Sequence, residues 1–197
     1  RIANDKLIIP KFLEGIPIVL HRELEGTINF ATISKNKSGN YFVAITVTRD
    51  VKVLPGSSEI IGIDLNVKHI VDSNGNKYDN PRPEHNNRDR LRMLSKAVSR
   101  CEKGSNGRKK AKQKLAKFKQ YSHDVREDFL HKLSRRIINE NQVVMVEDLS
   151  AESMLLTNEK EPKWKQRKLH RWIQDCGFYS FVSKLKYKTS WYGRQLV

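Results

Sequence analysis

Asp64 stands in the run IIGIDL, where Ile61, Ile63, Leu65 and Val67 recur at every second position and Gly62, Asp64 and Asn66 take the opposite face. A period of two is that of a strand. Aspartate is depleted in strands and costly to bury alone, so the position calls for a hydrogen-bond donor, a cation or a metal. By itself the residue reads equally as an exposed or salt-bridged strand position. A second carboxylate changes that balance. Val143, Val144, Met145 and Val146 form a continuous apolar run, which predicts a strand buried on both faces beside a parallel neighbour. Glu147 and Asp148 follow at its C-terminal end, where α/β sheets present functional side chains. Carboxylates on two strands are hard oxygen ligands suited to Mg²⁺ or Mn²⁺. Such ions supply the nucleophilic water and stabilise the leaving oxygen in phosphodiester hydrolysis.

The charge around these residues points the same way. Residues 82–120 hold 14 basic and 3 acidic side chains, net +11, and residues 160–197 are net +8. Residues 53–81 and 121–159, which contain Asp64 and Glu147, are net −2 and −4. Carboxylates set among lysines and arginines suit a phosphate backbone held over a divalent metal. The candidate backbone contacts are Arg100, Lys103, Arg108, Lys109, Lys110, Lys112 and Lys114, which would bind phosphates without choosing a base sequence. The competing reading is a set of solvated basic helix faces.

The elements that must position these groups follow from periodicity. Residues 1–55 predict a β-rich, barrel-like module: TINFATIS and YFVAITVT flank the turn residues of KNKSGN, with LIIP and IPIVL as shorter strands before them. Pro55 to Ser58 read as a linker, and residues 59–197 as a second domain. That domain opens with the Asp64 strand and a meander turning at Asn74-Gly75. A basic helical hairpin over 88–120 comes next, with Leu91, Leu94, Val98 and Cys101 facing Ala111, Leu115 and Phe118. A third helix is predicted to start after Ser122 or Asp124, and a helical region interrupted by Gly177 spans Trp164 to Tyr187. The fold class is α/β.

A chain of 197 residues with 38% hydrophobic content can bury one good-sized core, and a formal charge of +16 with a pI near 9.9 favours a polyanionic partner. Cys101 and Cys176 lie 75 residues apart in no CxxC or CxxH spacing, so they define neither a zinc site nor a disulfide framework. Both are expected to be small buried core thiols. No apolar run approaches the length of a membrane span, and the expected setting is cytoplasmic, nucleoid-associated in a prokaryote. The chain starts at Arg1 without methionine and stops as WYGRQLV begins a strand-like run, so it reads as a fragment.

GIDLNVKHIVDSNGNKY, VEDLSAESML and FYSFVSKLKYKTSWYGRQLV, in this order, closely resemble the TnpB family, the OrfB-type proteins of insertion sequences related to type V CRISPR effectors. HRELEGTI and SGNYFVAITV look like the end of that family's wedge β-barrel. The resemblance implies an RNase H-like (RuvC) core and an RNA-guided, Mg²⁺-dependent DNA endonuclease with a guide RNA and target DNA as partners. In it Asp64 and Glu147 are the first two metal-binding catalytic carboxylates. The family's third carboxylate lies beyond a Zn²⁺ ribbon, and neither is in this sequence. Asp148, Asp72, Asp79 and Asp175 sit on an opposite strand face, in a meander, in a loop and in a helix, and replace nothing. Asn66 stands where the family commonly has glycine. A guided DNA-binding protein without nuclease activity is the alternative, against which the retention of both carboxylates argues. A sugar kinase or actin-like ATPase would need glycine-rich phosphate contacts that are absent here. A plain RNA-binding protein leaves Asp64 and VVMVEDLS unexplained.

Overall fold

The computed structural model describes residues 2–147 and 162–197, in two compact units, Arg1–Val51 and Lys52–Val197. The first unit is all β. Strands β1 (Ile2–Ala3), β2 (Lys6–Ile9) and β3 (Phe12–Pro17) form an antiparallel sheet, and β4 (Thr27–Lys35) pairs with β5 (Tyr41–Thr48) as a long hairpin. The hairpin turns on Asn36, whose Oδ1 accepts from the backbone N–H of Ser38 and Asn40, both at 3.0 Å, while Gly39 takes a left-handed φ of 95°. The strand expected in IPIVL ends at Pro17.

The second unit is built on a five-stranded sheet of order β10-β9-β6-β7-β8. Its members are β6 (Ile60–Leu65), β7 (His69–Asp72), β8 (Lys77–Asp79), β9 (Val143–Val146) and β10 (Gln195–Leu196). The meander β6-β7-β8 is antiparallel, whereas β9 runs parallel to both β6 and β10. Ile61, Ile63 and Leu65 are buried and alternate with exposed or half-buried neighbours, so one face of β6 meets the core. Helix α3 (Asn106–Glu140) covers that face with Leu130, Leu133, Ile137 and Ile138. Helices α4 (Lys163–Cys176) and α5 (Phe178–Tyr192) add Ile173, Cys176, Phe178, Phe181 and Leu185 to the same core.

Three expectations need correction. The apolar run of β9 is not buried on both faces: Val144 is fully buried, but Met145 is 48% exposed, because the described helices pack on the Val144 side. No new helix begins after Ser122 or Asp124, since α3 continues unbroken for 35 residues, about 50 Å. Its stripe changes partner midway, from α2 (Arg88–Arg100), which follows the one-turn α1 (Pro83–Asn86), to α5 and the sheet, and the shift of face imitates a break. The cap-type residues there serve otherwise: Ser122 is buried and Asp124 Oδ1 accepts from Gln120 Nε2 at 2.7 Å. Cys101 is only half-buried at the end of α2, its Sγ–H donating to Ala97 O at 3.2 Å, whereas Cys176 is fully buried.

The stretch expected as a linker is tied into the second unit. Leu54 N–H donates to Tyr192 O at 3.2 Å, and Arg194 Nη1 donates to Pro55 O at 2.9 Å and to Gln142 Oε1 at 2.5 Å. Gly177, at φ 71°, ends α4 and starts α5, turning the chain without a connecting loop.

Candidate metal site and basic surfaces

The register of β6 and β9 decides how the two carboxylates relate. Ile60 pairs with Val143, Ile61 with Val144, Gly62 with Met145 and Ile63 with Val146. One step further along both strands stand Asp64 and Glu147. Residues opposite each other in a parallel pair share a face, so these carboxylates belong to the exposed face that also carries Gly62 and Met145, at the C-terminal edge of two parallel strands. Both side chains are exposed. Asn66 Nδ2 donates to Asp64 Oδ2 at 2.5 Å, and its backbone N–H donates to His69 O at 3.1 Å, so the loop after β6 holds one oxygen of Asp64 in place.

Two adjacent carboxylates, with one oxygen of Asp64 already engaged, fit part of a magnesium shell, which favours oxygen ligands and keeps several waters. Among the described residues no group of three or more acidic, histidine or cysteine side chains is placed to hold a metal. The other aspartates have structural work. Asp72 is buried: its Oδ1 accepts from the N–H of Asn74 (3.0 Å) and Asn76 (2.9 Å), and its Oδ2 from Asn76 Nδ2 and Tyr78 OH, both at 2.9 Å. Burial pushes its pKa up, but these donors outweigh burial and hold the carboxyl below the usual range. Asp175, also buried, accepts from the N–H of Glu84 (3.3 Å) and His85 (2.8 Å) and meets Arg126 Nη1 at 3.4 Å. Asp79 Oδ1 lies 2.7 Å from His69 Nδ1. Asp148 lies outside the described residues.

The basic hairpin is formed by α2 and the first half of α3. Arg100 ends α2, Lys103 lies in the turn, and Lys109, Lys110, Lys112 and Lys114 are exposed on the opening turns of α3. Arg108 differs from its neighbours. Half-buried, it donates through Nη1 to Cys101 O at 3.0 Å, and its N–H is capped by Ser105 Oγ at 3.1 Å, so it braces the turn. The tertiary structure adds a second basic surface that spacing does not reveal. Arg88 and Arg92 of α2 and Arg171 of α4 converge on a recess of about 720 Å³, although 79 or more residues separate Arg171 from the other two in sequence.

A mixed α/β unit carrying an acidic strand edge and basic helices defines the class, and the comparisons place it further. The model of the OrfB family of IS605 elements, described as "Probable transposase", matches residues 42–158, and the chain belongs to that family. It is 38% identical over 197 residues to a Streptomyces pristinaespiralis protein named "Putative RNA-guided DNA endonuclease", covering 98% of this chain and 47% of that one. It is 25% identical over 202 residues to the Escherichia coli K12 protein of the same description, InsQ, covering 98% and 50%. The chain thus spans about half the length of these relatives. A Cas12f1–sgRNA–target DNA complex aligns with a TM-score of 0.47 and 16% identity over 80% of this chain and 32% of that one. Among the described residues no helix is long and apolar enough to cross a membrane.

Proposed function

We propose that this chain is part of an RNA-guided DNA endonuclease, with a RuvC-type, RNase H-like core in residues 59–197 and a portion of a wedge-like barrel module in residues 1–55. The observation that carries the reading is the parallel register of β6 and β9, which sets Asp64 and Glu147 side by side on one face at one sheet edge. Relatives named as RNA-guided DNA endonucleases support it. Mg²⁺ or Mn²⁺ bound there would activate water and stabilise the leaving oxygen. Asp64 and Glu147 supply the anionic ligands, and Asn66 fixes the orientation of Asp64. Lys109, Lys110, Lys112 and Lys114 draw in the backbones of guide RNA and target DNA, while base pairing selects the sequence. Acting on DNA, the protein would work in the cytoplasm or on the nucleoid.

The test uses the full-length protein with its guide and a matched plasmid. Mg²⁺-dependent cutting is expected, and Asp64→Ala or Glu147→Ala should abolish it and also weaken Mn²⁺ binding followed by electron paramagnetic resonance. Cutting that survives both substitutions sinks the proposal. Guided DNA binding without any cutting by the unsubstituted protein would favour a nuclease-inactive binder.

A further inference from the structure

The open face of the sheet carries more than the two carboxylates. Ile70 and Asp72 of β7 and Tyr78 of β8 turn toward the core, so alternation puts His69, Val71, Lys77 and Asp79 on the face of Asp64. Across the strands Asp64 stands opposite Val71, Val71 opposite Lys77, and His69 opposite Asp79. His69 is thus the diagonal neighbour of Asp64 on the adjacent strand, a separation of about 7–8 Å. A tight turn keeps it there. Asn66 N–H donates to His69 O at 3.1 Å while the Asn66 side chain donates to Asp64 Oδ2, so one residue ties both ends of that gap.

The imidazole is steered on one side and free on the other. Asp79 Oδ1 lies 2.7 Å from His69 Nδ1, and an ionised carboxylate only accepts, so the proton of that contact sits on Nδ1. With the two side chains 43% and 88% exposed, the pair adds little stability. Nε2 has no partner among the described contacts, and His69 joins no metal-holding group among the described residues. The ring therefore stands beside the carboxylates rather than among them. A group in that place supplies what they lack. Phosphodiester hydrolysis leaves negative charge on the departing oxygen, and a proton delivered as the bond breaks contributes about 10²–10⁴-fold. Ionised Asp64 and Glu147 have no proton to give. Lys77, the other proton-bearing side chain on this face, lies a strand further from Asp64.

We infer that His69 is the general acid of the site formed by Asp64 and Glu147, and that Asp79 is its positioning residue. The inference rests on the nuclease reading for its reaction, whereas the tautomer of the ring does not. In the step, a water oxygen bonds to phosphorus, the bond from phosphorus to the leaving oxygen breaks, and that oxygen takes the Nε2 proton. The water's surplus proton goes to solvent, from which neutral His69 is protonated again. Asp79 keeps Nδ1–H throughout, so Nε2 is the nitrogen that exchanges.

The test uses the full-length protein with its guide and matched DNA, either ordinary or with sulfur replacing the leaving oxygen at the mapped cut site. A thiolate leaves without being protonated. His69→Asn places an amide N–H where Nδ1 was and removes Nε2. It should cut ordinary DNA on the order of a hundredfold more slowly. It should cut the sulfur substrate at the parent's rate, and keep the parent's guided DNA binding and its Mn²⁺ affinity by electron paramagnetic resonance. Asp79→Asn should slow ordinary cutting roughly tenfold, with no added loss in the His69→Asn background. In the metal-free protein, nuclear magnetic resonance of isotope-labelled histidine should find the neutral His69 proton on Nδ1, moving toward Nε2 in Asp79→Asn. Parent-like cutting of ordinary DNA by His69→Asn, an equal loss on the sulfur substrate, a loss matched by weaker Mn²⁺ binding, or a neutral ring protonated on Nε2 in the parent overturns the inference. If Asp64→Ala still cuts ordinary DNA, the nuclease reading itself fails. If Asp64→Ala cuts neither substrate while His69→Asn cuts both like the parent, the acid role alone is removed.

Discussion

Replacing Lys188 by methionine should stabilise the protein at neutral pH, and the gain should fade as the solution becomes alkaline. Lys188 is 6% exposed on α5, and its ammonium donates to His131 O at 2.8 Å and Ser134 Oγ at 2.7 Å without a carboxylate among these partners. Its neighbour Lys184, by contrast, is paired with Glu127. Burial, with Lys184 and Arg135 nearby, pushes the Lys188 pKa from 10.5 down to about 8. A folded pKa below the unfolded one means that the native state sheds its proton first, so stability rises with pH between about 8 and 10.5. Below pH 8 both states are protonated and the penalty is complete, on the order of 3 kcal/mol. Methionine removes it but leaves two acceptors without their donor, at about 0.5–1.5 kcal/mol each. Ser134 still donates to Leu130 O at 2.6 Å, so its hydroxyl is not stranded. The expected net gain at pH 7 is about 1–2 kcal/mol, a rise of roughly 0.5–1 M in the urea midpoint. By pH 9.5 the difference between the two proteins should shrink by about 2 kcal/mol. The Cys176 thiol, pushed up to about 12 by burial, lowers stability in that range, but it does so in both proteins and cancels. A Lys188→Met variant that is less stable than the parent at pH 7, or a difference that ignores pH, would refute the reasoning.

Asp72→Ala should cost about 1–3 kcal/mol by leaving the donors of the β7–β8 turn unpaired. Because the native carboxyl titrates below its ordinary 3.8, its contribution is present above that pH and lost as pH falls through the lowered value, so acid unfolding curves of the variant should be shallower there. Gly177→Ala places a methyl 2.9 Å from Arg126 Cδ and 3.1 Å from Leu130 Cδ1 at a φ of 71°. Gly75→Ala meets nothing within 4 Å at φ 84°, so Gly177→Ala should lower the melting temperature more, each kcal/mol being about 2–4 °C. Neutralising Lys109, Lys110 and Lys112 should flatten the salt dependence of nucleic-acid binding, and an unchanged slope would mark the hairpin as a solvated face.

Local periodicity was enough to put Asp64 on a strand face opposite Ile61, Ile63 and Leu65, and to end an apolar strand at Glu147, because alternation is imposed by each strand's own backbone. Hairpin turns at Asn36 to Asn40 and Asn74-Gly75, and the break at Gly177, were legible for the same local reason. Register was not. A slip of one residue between β6 and β9 would send Glu147 to the opposite face from Asp64, and only the packing of α3, α4 and α5 on Ile61, Ile63 and Val144 selects the pairing that keeps them together. The unbroken α3 was hidden because its apolar stripe serves two partners in succession. The convergence of Arg88 and Arg92 with Arg171, and the burial of Lys188 against α3, depend on helices far apart in the chain, and no local pattern encodes which faces will meet.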